Sequence, residues 1–240
     1  MIELKNLTKK FGDFTAVDKL SLHVDAGEFF GFLGPNGAGK TTTIKMMTGL
    51  YKPSEGEVRI NGYDIQREPL KAKQSLGYVP DLPYLYDKLT GREFLYFKAG
   101  LFRIEKKTAR NRIEEVIERF ELGDWVDKPT EDYSQGMRQR VTIAGALIHD
   151  PKVIIIDELI VGLDPRSARI VKDALKHKAS EGVTVFMSTH SLPTAEEVCD
   201  RIGIIHHGNL IFLDTLKKLL ERKSSTDGTL ETLFLELTKS

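Results

Sequence analysis

Phe29-Phe30-Gly31-Phe32-Leu33 runs directly into Gly34-Pro35-Asn36-Gly37-Ala38-Gly39-Lys40-Thr41, and a helical stretch opens behind it. The second segment fits G-x-x-x-x-G-K-[ST], and an apolar strand before it with a helix after it is the context that gives this spacing meaning. Glycines let successive backbone N–H groups converge on a phosphate that a Cβ would obstruct. The helix that follows turns its positive end toward the same anion. Lys40 would reach the β and γ phosphates and Thr41 would offer its hydroxyl to Mg²⁺, while Gly34, Pro35, Asn36, Gly37, Ala38, Gly39 and Thr42 complete the cradle.

Outward from this loop, Val153–Ile156 is another continuous apolar run, the pattern of strands covered on both faces of a parallel sheet. Val183–Met187 and Ile202–Ile205 repeat it, and Pro165–Glu181 lies between two such runs with Ala168, Val171 and Leu175 on one helical face. Strand, helix, strand in that order predicts right-handed crossovers and an α/β core with a mainly parallel sheet. Leu20, Leu22 and Val24 alternate with polar residues, as do Val58 and Ile60, which predicts an antiparallel β subdomain. Between about Thr90 and Ile148 helical spacing takes over: Ile113, Val116, Ile117 and Phe120 fall at i, i+3, i+4 and i+7, and Met137, Val141, Ala144 and Ile148 make a second stripe. The mixed-sign face of Arg110, Arg112, Glu114, Glu115, Glu118 and Arg119 reads as solvated helix surface. The expected organisation is a single domain over 1–240, with an α/β core (1–88 and 149–212), an inserted α-helical lobe (89–148) and a tail (213–240). A short helix after Asp214, a polar link from Glu221 to Gly228 and an amphipathic end from Leu230 to Thr238 are expected in that tail.

Composition narrows the partners. The 35 basic and 35 acidic side chains cancel, so no overall field draws the molecule to nucleic acid or an anionic bilayer. The single cysteine, Cys199, excludes an internal disulfide and any Cys-x-x-Cys site. No stretch approaches the roughly 18 apolar residues of a bilayer crossing, and MIELKNLTKK at the amino end has no leader pattern. A reducing, cytosolic setting is expected.

Asp157-Glu158 leave the end of Val153–Ile156, at the edge where α/β sheets bind ligands. Asp157 is the natural Mg²⁺ partner, and Glu158 could accept a proton from an attacking water or hold that water in line. The plain alternative is an acidic pair that ends a strand. His190, just past Val183–Met187, can donate to a γ-phosphate oxygen or serve as a structural histidine. Phe11 can stack on a purine, a contact worth roughly 1 to 3 kcal/mol per base, or fill the core. Ser134 and Gly136 stand at the start of a helix near Gln135, where a hydroxyl, N–H groups and a helix N-terminus form a second anion site. His23, His149, His177, His206 and His207 have no motif around them.

Together these segments resemble the ATP-binding-cassette (ABC) ATPases over nearly the whole chain. Beyond the Walker A (Gly34–Thr41) and Walker B (Val153–Glu158) segments, Tyr133-Ser134-Gln135-Gly136-Met137 is similar to the family's Leu-Ser-Gly-Gly-Gln signature. Gly162-Leu163-Asp164 resembles its D-loop, Ser188-Thr189-His190 its switch-histidine segment, and Phe11 stands where the family places an aromatic against adenine. The resemblance implies a P-loop NTPase (RecA-like) core that binds and hydrolyses ATP with Mg²⁺, with Lys40, Glu158 and His190 in catalysis. It also implies that Ser134 and Gly136 meet the ATP of a second, identical or related chain, arranged head to tail. Asp164 would line that interface, or be an ordinary Asp-Pro turn residue. Asp81 departs from the family's glutamine after Gly77–Pro80: it can meet Mg²⁺ or its waters but cannot donate as an amide does. Gln135 and Met137 replace glycine and glutamine in the signature, and Leu159 and Ile160 replace proline and threonine after Walker B.

With no span of its own, such an ATPase implies separate transmembrane permease subunits that hold it on the inner face of the cell membrane. Leu82-Pro83-Tyr84-Leu85-Tyr86 is an aromatic loop beside the groove where the family receives a short helix of that partner; packing within the lobe is the alternative. Tyr133–Arg140 and the ending Phe234–Thr238 resemble exporter-type subunits. A soluble cassette acting on nucleic acid or ribosomes is the second reading, opposed by the neutral charge and by the lack of a heptad run between Lys40 and Ser134. A regulator without turnover is opposed by Glu158, and a GTPase by the absence of Asn-Lys-x-Asp.

Overall fold

The computed structural model describes residues 1–158, 163–215, 218–219 and 234. Its first sheet begins with β1 (Ile2–Phe11) antiparallel to β2 (Phe14–Val24). The chain then leaves for β3 (Phe29–Leu33) and helix α1 (Lys40–Met47), returns as β4 (Glu55–Ile60) on the other side of β1, and adds β5 (Tyr63–Asp64). Leu20, Leu22 and Val24 face inward, as their alternation predicts. β1 breaks that pattern: Asn6 has φ 47°, the β1–β2 register shifts between Leu4 and Leu7, and Leu7 and Thr8 are buried in succession. A bulge of this kind hides a strand from period-two reading.

After α2 (Pro69–Gln74), β6 (Leu76–Val79) forms an edge of the second sheet and the helical lobe follows as α3 (Gly91–Leu101), α4 (Lys106–Arg119) and α5 (Gln135–Leu147). The chain re-enters the sheet as β7 (Val153–Asp157), crosses by α6 (Pro165–Ser180) to β8 (Thr184–Thr189), and by α7 (Leu192–Val198) to β9 (Arg201–His206) and β10 (Asn209–Thr215). The strand order is β10-β9-β3-β8-β7-β6, parallel throughout except for β10 on β9. β3 and β7 are buried along their whole length, as uninterrupted apolar runs require. Alternate residues sort to the two faces. Phe30, Phe32, Ile155 and Phe186 pack with the antiparallel sheet and α1, while Phe29, Ile154, Ile156 and Met187 pack toward the helical lobe and α6.

In the lobe, α4 buries Ile113, Val116 and Ile117 along one stripe. α5 differs from its predicted stripe, because residues 141–147 are buried without a break together with Gly136 and Gln139. It is enclosed by α3, α4, α6 and β6, and a helix enclosed on all sides shows no single apolar face. Thr90 and Glu93 form a capping box that starts α3. Lys218 and Leu219 are helical, whereas the link Glu221–Gly228 and, apart from Phe234, the end Leu230–Thr238 lie outside the described residues. Among the described residues, no helix is long and apolar enough to cross a membrane.

Register sets the functional edge. Leu33 pairs with Thr189, Asp157 with Ser188, and Val79 with Ile156. Gly34, Glu158, His190 and Pro80-Asp81 therefore leave the sheet side by side at the carboxyl ends of its strands, where open α/β sheets bind ligands.

Candidate active site

Between β3 and α1 the backbone turns through Gly37 at φ 81° and Gly39 at φ 111°. A Cβ at Gly39 would stand 2.7 Å from the Ala16 carbonyl oxygen, whereas one at Gly37 would meet nothing within 4 Å. Packing within the protein thus demands glycine at 39, while position 37 faces open space. Lys40 is only 7% exposed, and its ammonium donates to the carbonyls of Gly34 at 2.6 Å and Pro35 at 3.1 Å. Burial pulls its pKa below the usual lysine value, against the opposing pull of Glu158 and Asp157. Ala38 is buried, Asn36 and Thr41 are exposed, and Pro35 and Thr42 are half-buried on the rim of the loop.

Asp157 closes β7 with 1% exposure. Ser188, its register partner on β8, donates from Oγ to Asp157 Oδ1 at 2.6 Å, and Oδ2 is buried with no hydrogen-bond partner. Burial pushes the Asp157 carboxyl up; the Ser188 hydroxyl and then that of Thr41 nearby pull it down, and the charges of Asp81 and Glu158 push it up again. A buried carboxylate oxygen without a donor, beside a hydroxyl and a second carboxylate, suits a hard, oxygen-seeking cation. Among the described residues no group of three His, Cys, Asp or Glu side chains stands ready as a full metal cage. Mg²⁺ needs none: it takes one or two carboxylates and completes its shell with phosphate and water. Thr41, Asp157 and Asp81 fit that role. Tyr78, on β6 nearby, has its phenol pushed up to about 12 by burial first and by Asp157 and Asp81 next.

Glu158 adopts φ 60°, a left-handed conformation uncommon for a residue with a Cβ. Its N–H donates to Ser188 Oγ at 3.1 Å, and its carboxylate accepts from His190 Nδ1 at 3.0 and 3.1 Å. An ionised carboxylate only accepts, so Nδ1 carries the proton and Nε2 remains for another partner. Donating from both nitrogens at once requires the imidazolium form.

Phe11 is 44% exposed, so it is not a core ring. Its ring meets Tyr51 edge-on at 5.7 Å, with the Lys9 ammonium 5.0 Å from its centroid. Lys9 in turn donates to the Lys52 carbonyl at 2.9 Å, tying β1 to the segment that follows α1. Sequence alone assigns no role to Tyr51 or Ser188. Ser188 sits inside a recognisable motif, yet only strand register reveals its partners; Tyr51 follows no motif spacing.

A second cluster sits at the tip of the lobe. Ser134 N-caps α5, accepting from Met137 N–H at 3.3 Å, and is exposed. Gly136 is buried against the start of α6, where an added Cβ would lie 3.5 Å from Asp164 Oδ2 and 3.6 Å from Ser167 Oγ. Asp164 is the N-cap of α6: Oδ1 accepts from the N–H groups of Arg166 and Ser167, each at 3.0 Å, and Oδ2 from the Ser167 hydroxyl at 2.6 Å. The Ser167 bonds are the largest of the causes that hold its carboxyl below the ordinary aspartate value. The Asp-Pro turn is therefore real, and Asp164 remains exposed within it. Gly162, Leu159 and Ile160 lie outside the described residues.

Beside this tip, an apolar groove of about 700 Å³ is lined by Pro83, Tyr84, Tyr86, Phe97 and Arg138 among others. Leu85 is buried in the lobe core, whereas Tyr84 is 75% and Tyr86 45% exposed. The rings stack edge to face, Tyr84 on Tyr86 at 5.7 Å and Tyr86 on Phe97 at 5.3 Å.

Residues 17–161, which carry both the phosphate loop and the acidic pair, match the sequence model described as ABC transporter. The chain is 45% identical over 218 residues to the ABC transporter ATP-binding protein YhcH of Bacillus subtilis, covering 90% of this chain and 70% of that protein. It is 39% identical over 222 residues to the linearmycin resistance ATP-binding protein LnrL of Bacillus subtilis, covering 92% of this chain and 71% of that one. Among solved structures, the dimeric ATP-binding cassette MJ0796 bound to ADP and Pi superposes with a TM-score of 0.82 at 29% identity, over 90% of this chain and 99% of that one.

Proposed function

The chain belongs to the ABC transporter family, and from that premise we propose how its residues divide the work of an ATP-hydrolysing subunit that drives export. One observation carries the reading: Lys40 and its loop after β3, Asp157 and Glu158 at the end of β7, and His190 after β8 converge on one sheet edge. The loop from Gly34 to Gly39, with Lys40, Thr41 and Thr42, holds the triphosphate, and Phe11 stacks on adenine. Thr41, Asp157 and Asp81 hold Mg²⁺, which when bound neutralises phosphate charge as the γ-phosphoryl leaves. Glu158 orients the attacking water and takes its proton. His190, anchored on Glu158 through Nδ1, turns Nε2 to the γ-phosphate.

Turnover needs a second chain, identical or related. In a head-to-tail pair each ATP lies between one phosphate loop and the Ser134–Gly136 tip of the opposite copy, with Asp164 along the seam. The likeness to a cassette solved as a dimer with ADP and Pi supports this arrangement. ATP binds the closed pair better than the open one, so loss of the γ-phosphate reopens it. The 1–240 cassette acts as one unit with its 89–148 lobe. Separate transmembrane permease subunits seat a short helix in the Tyr84–Tyr86 groove and hold the chain on the inner face of the membrane. Export as the direction is drawn from the likeness to an antibiotic-resistance ATPase.

Glu158→Gln tests the core of this reading. It should keep ATP affinity, slow turnover by about 10²-fold or more, and accumulate an ATP-bound dimer in size-exclusion chromatography. Hydrolysis at the parent rate would strip Glu158 of its water-activating role.

A further inference from the structure

We propose that Ser188 is the positioning residue that makes Asp157 a one-oxygen ligand and keeps it apart from Glu158. The inference rests on the reading of Asp157 as the Mg²⁺-bearing carboxylate. Ser188 is 0% exposed, so water does not compete for its hydroxyl. A hydroxyl has one proton to give and lone pairs to accept with. Asp157 Oδ1 only accepts when ionised, so it receives that proton, and at 2.6 Å the bond has the length of a charge-assisted O–H···O⁻ contact. The Glu158 N–H is a donor, so it takes a lone pair, at 3.1 Å. Each neighbour accepts only one polarity, and the hydroxyl has no second orientation that satisfies both.

Two consequences follow from this one side chain. Asp157 Oδ1 is engaged by the Ser188 hydroxyl, and Oδ2 is the oxygen left buried with no partner. The Glu158 peptide is pinned where its φ is 60°, and across that turn consecutive carboxylates serve different partners, Asp157 with Ser188 and Glu158 with His190. Thr189, one residue on, is engaged elsewhere: its hydroxyl oxygen accepts from the Ser191 N–H at 2.9 Å. The β7–β8 register puts only Ser188 opposite Asp157.

The test is ADP calorimetry on the full chain, with and without Mg²⁺, for the parent, Ser188→Ala and Ser188→Thr. Residues behind metal ligands typically contribute about 10- to 100-fold to metal affinity. Ser188→Ala should therefore cut the Mg²⁺-dependent gain in ADP affinity by about tenfold or more while Mg²⁺-free affinity stays within about twofold, and Ser188→Thr should restore most of the gain. Parallel loss with and without Mg²⁺ would reduce Ser188 to a fold support, and an undiminished gain would overturn the inference outright. If Ser188→Ala does not fold, Ser188→Cys carries the same comparison with a weaker donor: a partial loss supports the inference and full retention refutes it. A parent protein with no Mg²⁺ gain would instead sink the metal reading itself, taking this inference with it.

Discussion

Alanine at Gly37 and at Gly39 separates what the phosphate loop owes to its own packing from what it owes to an anion. At Gly39 the φ of 111° lies well outside the left-handed well near 57° that a side chain can visit, and the new Cβ would sit 2.7 Å from a backbone oxygen. Backbone strain of about 1–3 kcal/mol and a forced shift of similar size put the loss of stability at about 2–6 kcal/mol. At Gly37 the φ is 81° and the methyl meets no atom, so only the left-handed penalty of about 1–2 kcal/mol applies. Yet the methyl enters the space where backbone N–H groups would close on phosphate. Losing one or two such charge-assisted bonds, at about 1.5–3 kcal/mol each, weakens nucleotide binding by roughly 10- to 10⁴-fold. Urea denaturation without nucleotide and calorimetry with Mg·ADP measure the two effects separately. Gly39→Ala should fall mainly in the first assay and Gly37→Ala mainly in the second. A Gly37→Ala protein that binds Mg·ADP like its parent would show that the loop does not cradle phosphate.

Phe11→Ala should weaken ADP binding by about tenfold or more but leave inorganic tripolyphosphate binding unchanged, since only the base is lost; Tyr51→Ala should do the same to a smaller extent, and equal loss of tripolyphosphate would exclude stacking. Burial depresses the His149 pKa from 6.5 to about 4, opposed by donation to the Leu76 carbonyl and by Asp150, and helped by Lys98 and Arg112. The folded value lies below the unfolded one, so the unfolded chain binds the extra proton between them. Stability should therefore fall by up to about 3 kcal/mol as pH drops from about 6.5 to about 4. His149→Gln should remove this component, and identical acid-unfolding slopes for both proteins would refute it. Tyr84→Ser with Tyr86→Ser should release the chain from membranes that carry its permease while ATP affinity is retained; unchanged membrane retention would count against the groove as the docking site.

Much of the site can be read from the chain because phosphate chemistry fixes residue type and spacing locally. Gly34 to Thr41 and Val153 to Glu158 announce themselves within single segments, and uninterrupted apolar runs identify β3 and β7 as interior strands. Contacts that depend on register do not. Ser188 gains its meaning only when β8 lies beside β7, and Tyr51 only when the bulged β1 brings Phe11 to the end of α1. The bulge at Asn6 also conceals β1, and the enclosure of α5 buries residues well beyond the stripe that helical periodicity finds. Asp164 shows a different limit: its sequence context fits a cap and an interface equally, and three hydrogen bonds establish the cap while the interface still requires a partner chain.

The seating of Gly136 against the first turn of α6, where an added Cβ would lie 3.5 Å from Asp164 Oδ2, joins the lobe tip and that turn as one lever. Four positions, 159 to 162, are all the covalent chain between Leu163 beside that lever and Glu158 at the end of β7. In the proposed head-to-tail pair, a pull on the tip would reach Glu158 of the same chain through that short tether. Firing at one pocket of such a pair would then carry news to the other, a reason for the two to take turns.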